Sequence, residues 1–391
     1  MDIKKIRNLF PMFKNNPNIV YLDNAALTFK PQIVIDKGTE FYEKYSISTR
    51  TADTKIGFKV KFDLENTRNE IAKFINSKPD EVIFTSGTTE SLNLIAKMLS
   101  SVHREGKIIF SYFNHSSAII PFIENFKNSK LSIEYAFDEK DILNKIDFNT
   151  KIVVLAQTTN NFQVHYDMKK IYEKCKSVGA NLINDAAQAI VHDEVNFDYC
   201  DVLAFSGNKL YGPTGTGVLA IKNDLLKKLS PQKWGGGQVQ NILKSWQWTI
   251  RETIGKWEPG TPNIAGILQL GEAIKFFKSF NFNEIKEHEK AIAEYAFDKL
   301  LQIPNIKIDS KRGDTIILFN IKGIPSQEIS HFLGQRDIYV RSGSFCAYKF
   351  KEVNKYNNDY VRISLALYNN KKDIDSLVSS LKKGGNFIEI F

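Results

Sequence analysis

Cysteine is scarce in this chain of 391 residues: there are three, Cys175, Cys200 and Cys346, far apart in sequence. Three separated thiols make neither a disulfide framework nor a zinc site, and no metal centre is expected. Cys175, in a helix-like stretch, and Cys200, just before an apolar strand, read as structural. Long hydrophobic runs are missing as well. No uninterrupted apolar stretch nears membrane-spanning length, and the charged start Met1-Asp2-Ile3-Lys4-Lys5-Ile6-Arg7 is not followed by the apolar core of a signal peptide. A cytoplasmic protein without membrane association is expected. Nor is charge gathered into blocks. The formal net charge is +9, but Lys227-Lys228, Lys349-Phe350-Lys351 and Lys382-Lys383 are short runs that read as solvated faces. With no zinc-finger spacing and no RNA-binding aromatic motif, a nucleic-acid partner is not expected. Two nucleotide-binding motifs fail too. The segment 212–217 lacks the Gly-Lys-Ser/Thr ending of a P-loop, and Gly215-Thr216-Gly217 lacks the third glycine of a dinucleotide fingerprint.

What is present is an ordinary globular composition, 42% apolar and 25% charged, on a chain long enough for two domains. Through the first two-thirds, short apolar runs alternate with helical patterns. Residues 81–85, 107–110, 152–156, 181–184 and 202–205 read as buried strands, and 168–178 as a helix. That alternation predicts an α/β fold with a mainly parallel sheet sandwiched by helices. From about residue 271 the pattern changes to long helices (268–280, 282–303), a strand at 315–319, and a last helix carrying Ile374, Leu377, Val378 and Leu381 on one face. The expected division is a large domain over 20–275 and a smaller α+β domain over 276–391, with 1–19 packing on the smaller one.

One lysine stands in an unusual frame. Lys209 lies in Ser206-Gly207-Asn208-Lys209-Leu210-Tyr211-Gly212-Pro213-Thr214-Gly215-Thr216-Gly217, directly after the apolar run Val202-Leu203-Ala204-Phe205. A lysine where a strand gives way to a glycine-rich loop can form a Schiff base with an aldehyde cofactor. Such a cofactor needs a phosphate cup. The junction Gly87-Thr88-Thr89 offers backbone N–H groups at a helix N-terminus together with two hydroxyls, although a plain helix cap at Thr88 reads equally well. A cofactor ring needs a carboxylate, and Asp185, after Leu182-Ile183-Asn184, sits at the carboxyl end of a strand, where open α/β sheets bind ligands. His115 follows another strand candidate. Cys346 lies in Ser342-Gly343-Ser344-Phe345-Cys346, near Arg341 and several lysines that favour a thiolate. A buried, inert thiol is the alternative there.

Seven segments, in order, carry a family likeness: Tyr21-Leu22-Asp23-Asn24-Ala25-Ala26, Phe84-Thr85-Ser86-Gly87-Thr88-Thr89-Glu90-Ser91-Leu92-Asn93-Leu94, Asp185-Ala186-Ala187-Gln188, the Lys209 frame, Glu258-Pro259-Gly260-Thr261-Pro262-Asn263, Val340-Arg341-Ser342-Gly343-Ser344-Phe345-Cys346-Ala347 and Val361-Arg362-Ile363-Ser364-Leu365. Together they resemble the class V aminotransferases among the fold-type I pyridoxal 5'-phosphate (PLP) enzymes, and within them the group II (SUF-type) cysteine desulfurases and selenocysteine lyases. The resemblance implies that Lys209 carries PLP, that Asp185 pairs with the ring nitrogen and Gln188 with the ring hydroxyl, and that His115 stacks on the ring. Thr88, Thr89, Ser206 and Asn208 are implied to hold the phosphate, with Thr261 reaching the phosphate of a neighbouring subunit in a homodimer. Arg362 is implied to bind the substrate carboxylate, with Asn160 nearby, or Asn161 in its place, and Arg341 as a second candidate. Cys346 is implied to take sulfur from L-cysteine as a persulfide, for a sulfur-acceptor or scaffold protein serving iron–sulfur cluster or thio-cofactor synthesis. Selenocysteine lyase, another class V enzyme and a PLP- or partner-binding scaffold are the alternatives.

The chain departs from the group's pattern. Asn208 stands where a histidine is usual, Ser344-Phe345 replace a His-His pair before the cysteine, Thr49 replaces another histidine, and Ser86 replaces an arginine.

Overall fold

The computed structural model describes residues 1–49, 53–243, 247–353 and 358–383. They form two compact units. One comprises Ile33–Gln157 and Tyr166–Lys275, the other Met1–Gln32, Thr158–His165 and Phe276–Phe391 as far as it is described. Residues 20–32 and 158–165 thus cluster with the C-terminal part of the chain rather than with their neighbours in sequence.

The first unit is built on seven strands: β1 (Val82–Thr85), β2 (Glu105–Ser111), β3 (Lys130–Ala136), β4 (Thr150–Ala156), β5 (Asn181–Asp185), β6 (Val202–Ser206) and β7 (Gly217–Ile221). Their order in the sheet is β1-β7-β6-β5-β4-β2-β3. β2 to β6 are mutually parallel, while β7 runs antiparallel to both β6 and β1. β1 therefore points the same way as β6, and six strands end on one edge. Ile152, Val153, Val154 and Leu155 of β4 are all fully buried, as expected of a strand covered on both faces. The helix Thr88–Ser100 lays Leu92, Ile95, Ala96 and Leu99 into the core with Phe110, Val154 and Leu219. Those positions share one helical face, so the helix after β1 is locked to the sheet. β3 and β7 lie outside the strands expected from the apolar runs.

The second unit carries an antiparallel sheet of β8 (Ile306–Ile308), β9 (Ile316–Ile321), β10 (Arg341–Gly343) and β11 (Tyr360–Ser364), ordered β8-β9-β11-β10. Helices Phe282–Leu300 and Lys371–Lys383 contribute Ile292, Ala296, Leu300, Ile374, Leu377 and Leu381 to one core with Ile317, Phe319 and Ile363. The N-terminal segment joins this core. Val20–Tyr21 pairs in parallel with Ile338–Tyr339, and Asp23 forms an isolated bridge with Ser364.

Element boundaries move by a few residues from those expected. β1 starts at Val82 because Pro79–Glu81 is a 3-10 turn, and the helix expected at 268–280 spans Ile264–Lys278. Among the described residues, no helix is long and apolar enough to cross a membrane.

Candidate active site

In the first unit the candidate residues gather at the carboxyl edge of the sheet. In register, Gly217 of β7 lies opposite Thr85 on one side and Ser206 on the other. A Cβ on Gly217 would lie 2.4 Å from Cα of Gly87. Only a glycine there lets the turn after β1 close down on the end of β6. Gly87 itself has φ 152° and ψ 176°, a conformation reached essentially by glycine alone, and it caps the helix Thr88–Ser100 without a side-chain acceptor. Across this turn the Ser206 hydroxyl accepts the backbone N–H of Thr88 (2.7 Å) and lies 2.8 Å from the Thr88 hydroxyl. A helix start with no side-chain acceptor at its cap and two hydroxyls beside it fits a phosphate dianion.

Thr89 is exposed, and its hydroxyl lies 2.9 Å from that of Ser117, which lies 3.0 Å from Nδ1 of His115. The backbone N–H of Ser117 also donates to this Nδ1 (3.1 Å). A backbone N–H can only donate, so in the neutral ring the proton sits on Nε2. Ser117 had drawn no attention in the sequence, since a serine two residues after a histidine carries no signal of its own.

Asp185 ends β5 with its side chain fully enclosed, paired in register with Ala156 and Ala204, and accepts the backbone N–H of Ala187 (3.1 Å). Burial pushes its carboxyl above the ordinary range, while the Lys209 ammonium and the Ala187 N–H pull it back. Lys209 and Asp185 are thus electrostatic neighbours. Lys209 ends a 3-10 turn, Gly207–Lys209, held by the N–H groups of Leu210 and Gly212 on the Gly207 carbonyl (2.9 Å each). Lys209 and Asn208 are half-buried, and Gln188 is buried beside the Asp185 turn. A desolvated carboxylate at a strand end fits a cationic N–H donor of a ring, and the cup fits a phosphate. This donor set suits PLP.

Thr261 is exposed and lines a 220 Å³ cavity that also includes Ser86 and Glu90. Its loop is pinned by Glu258, which takes a bidentate pair from Arg68 (2.8 Å each) and the Phe84 N–H (2.7 Å).

A second cluster lies wholly within the other unit. Arg362 on β11 is fully buried, donates from one terminal nitrogen to Asp23 (2.6 Å) and from the other to the Asn160 carbonyl (2.8 Å), and its buried Nε has no hydrogen-bond partner. Burial lowers the guanidinium pKa and the Asp23 carboxylate raises it. Arg341 on β10 stands opposite Arg362 in register and is exposed. Asn160 donates its amide to the Phe345 carbonyl (2.9 Å), and its own buried Oδ1 has no hydrogen-bond partner. Asn161, the alternative to Asn160, is fully buried and its side chain accepts the Phe162 N–H (2.7 Å). The buried Arg362 Nε and the buried Asn160 Oδ1, a donor and an acceptor both without a partner, fit a small polar ligand such as a carboxylate-bearing one.

Cys346 directly follows Phe345, whose carbonyl and ring touch this cluster. Phe345 and Cys346 have φ of 53° and 55°, and the Ala347 N–H donates to the Ser344 carbonyl (2.9 Å). The thiol thus sits at the third position of a left-handed β-turn whose central residues are not glycine, at a cost of roughly 1–2 kcal/mol each. Cys346 is half-buried, whereas Cys175 and Cys200 are buried, and burial pushes the Cys175 thiol up to about 12. Asp23 was visible in the sequence only as part of a matching segment. Its pairing with Arg362 depends on the bridge to Ser364, which no local pattern encodes.

The aminotransferase class-V family model matches residues 20–377. A probable cysteine desulfurase of Ureaplasma parvum serovar 3 is 37% identical, with 96% of each chain covered. A cysteine desulfurase of Wigglesworthia glossinidia brevipalpis is 34% identical over 100% of this chain and 99% of its own. The solved apo structure of a cysteine desulfurase from Thermococcus onnurineus NA1 superposes with a TM-score of 0.91 at 27% identity, covering 97% of each chain.

Proposed function

The chain belongs to the aminotransferase class-V family, and from that premise we propose that it is a PLP-dependent cysteine desulfurase that converts L-cysteine to L-alanine. The observation that carries the role of Cys346 is its left-handed turn, which places a half-buried cysteine directly after Phe345, whose ring and carbonyl touch Arg362 and Asn160. Backbone strain of this kind persists where the surrounding structure over-determines it, and it concentrates at functional sites.

When bound, PLP supplies an electron sink for the carbon skeleton of the substrate. Lys209 would anchor the cofactor's aldehyde, and its amine, released when the substrate amine takes its place, would take the Cα proton. Asp185, desolvated at the end of β5, holds a proton on the ring nitrogen. Thr88, Thr89, Ser206 and Asn208 hold the phosphate, Gln188 the ring hydroxyl, and His115 covers the ring face. Arg362 takes the substrate carboxylate, with Asn160 beside it and Arg341 as an outer cation. The Cys346 thiolate attacks the substrate sulfur. The new S–S bond makes a persulfide, the Cβ–S bond breaks with its electron pair on carbon, and alanine is complete once Cβ takes a proton and Lys209 returns the one it took from Cα.

The persulfide sulfur passes to an acceptor protein for iron–sulfur cluster or thio-cofactor synthesis, in the cytoplasm. The working form is a homodimer in which Thr261 reaches the partner's phosphate. Its exposure supports this, as do Tyr42, Phe58 and Phe62, large side chains left 66%, 65% and 52% exposed. Phe58 and Phe62 stack on each other with ring centres 6.3 Å apart, and contiguous exposed apolar surface is what an association face covers.

The deciding experiment is mass spectrometry of Cys346 after brief exposure of the holoenzyme to L-cysteine, beside Cys346→Ser. One added sulfur on Cys346, and loss of sulfide release in the variant, is the expected result. Unchanged sulfide release from Cys346→Ser, with selenide release the faster reaction, would instead mark a selenocysteine lyase.

A further inference from the structure

The Cys346 turn has no residue that favours a left-handed backbone, so something else must hold it. Two side-chain contacts hold the two residues that precede the thiol. In one, the Phe345 ring is buried over the Arg362 guanidinium at 4.8 Å, while the Phe345 carbonyl accepts the Asn160 amide (2.9 Å). In the other, the Ser344 hydroxyl donates to Asp359 (2.5 Å), and Asp359 is ion-paired with Lys351 (2.7 Å). The turn hydrogen bond from Ala347 to Ser344 closes the loop between them. The two positions that depart from the family's His-His pair are therefore the two that clamp the turn.

We propose that Phe345, with the Ser344–Asp359 contact, is a positioning element for Cys346: it holds the thiol in the left-handed turn and couples the turn to the arginine that takes the substrate carboxylate. The inference rests on the desulfurase reading. Physically, a guanidinium over an aromatic face is attracted by the ring quadrupole, and the attraction grows when both are desolvated, as they are here. The ring thereby ties the orientation of Arg362 to the backbone of the residue before the nucleophile. A leucine of similar bulk fills the space and has no such face. Asp359 fixes the first residue of the turn through the Ser344 hydroxyl, and the Lys351 ammonium keeps its carboxylate in place.

The test uses the PLP-loaded enzyme and three variants, Phe345→Leu, Phe345→Tyr and Ser344→Ala. Two readouts are compared: the rate of Cys346 alkylation by iodoacetamide, and the rate of persulfide formation on Cys346 in a single turnover. Loss of the clamp frees the thiol but misplaces it. Phe345→Leu is expected to raise alkylation at least threefold and lower persulfide formation at least tenfold, with KM for L-cysteine rising as well. Ser344→Ala moves both rates the same way by a smaller factor, and Phe345→Tyr, which keeps the ring, stays within twofold of wild type. The proposal is overturned if both rates are unchanged in Phe345→Leu, if both fall together, or if Phe345→Tyr is as impaired as Phe345→Leu. If Cys346→Ser keeps full turnover, the desulfurase reading fails separately, and the alkylation rates still decide whether the clamp positions the thiol.

Discussion

Replacing Asp23 by asparagine isolates the electrostatics of the second cluster. The Arg362 side chain is 2% exposed and that of Asp23 19%, so the pair is mostly removed from water. Breaking a buried ion pair by neutralising one partner costs about 3–5 kcal/mol, because the other charge stays buried without compensation. The partial exposure of Asp23, and the Asn160 carbonyl that still accepts from Arg362, place this case near the lower end, about 3 kcal/mol. With an unfolding entropy of about 2.1 cal/mol/K per residue, that is a fall in Tm of about 4 °C if the whole chain melts together, and more if the smaller unit melts by itself. Scanning fluorimetry of Asp23→Asn against wild type reads it directly. Two further arms separate charge from shape. Adding Arg362→Met to Asp23→Asn removes the orphaned charge, so the double variant should melt above the single one. L-Alanine supplies a replacement carboxylate, so its stabilising effect should be larger in Asp23→Asn than in wild type. A fall below 1 °C, or additive effects of the two substitutions, refutes the account of a desolvated pair.

The remaining predictions concern the first unit. Asp185 has a folded pKa raised by burial, so its ionised form destabilises the cofactor-free protein above the unfolded value of about 3.9, and stability is regained as pH falls through the folded pKa toward that value. Asp185→Asn should therefore raise the Tm of the apoprotein at pH 7, remove that acid-side gain and abolish turnover; an apoprotein Tm below wild type contradicts it. Gly217→Ala puts a Cβ against backbone atoms of Gly87 and Phe205, which cannot yield as side chains do. Overpacking of this kind costs about 1–3 kcal/mol or more, and PLP affinity by fluorescence titration should fall at least tenfold. Thr89→Val keeps shape but cuts the hydroxyl chain to Ser117 and His115, and the pH profile of kcat should shift while KM for L-cysteine changes less than twofold. An unchanged profile would mean the chain does not act on His115.

How much of this could be read from the sequence depends on how local each device is. The strand-turn-helix at Gly87 and the strand ends at Asp185 and Ser206 are encoded within a few residues: an apolar run that forms a buried strand, then residues that cannot continue it. The sheet accordingly has β1, β4, β5 and β6 within a residue or two of the expected positions. β3, with the sequence Lys-Leu-Ser-Ile-Glu-Tyr-Ala, is half-exposed at the sheet edge, and such a strand has no uninterrupted apolar run to announce it. The second cluster is the opposite case. Asp23 meets Arg362 only because an N-terminal strand pairs beside Ile338–Tyr339, and Asn160 joins them because an eight-residue excursion, Thr158–His165, packs with the C-terminal unit. Neither pairing leaves a periodic trace. The Cys346 turn is less legible still, because a left-handed turn normally announces itself with glycine or asparagine, and here Phe345 and Cys346 occupy those places. Read locally, Ser344-Phe345 is a loss of two histidines. Seen with Arg362, Asn160 and Asp359 around it, the same pair supplies a ring for the guanidinium and a hydroxyl for the carboxylate, in the two residues just before the thiol. A substitution that looks like decay in one dimension can therefore be a different solution to the same geometric demand, provided its partners are far away in the chain.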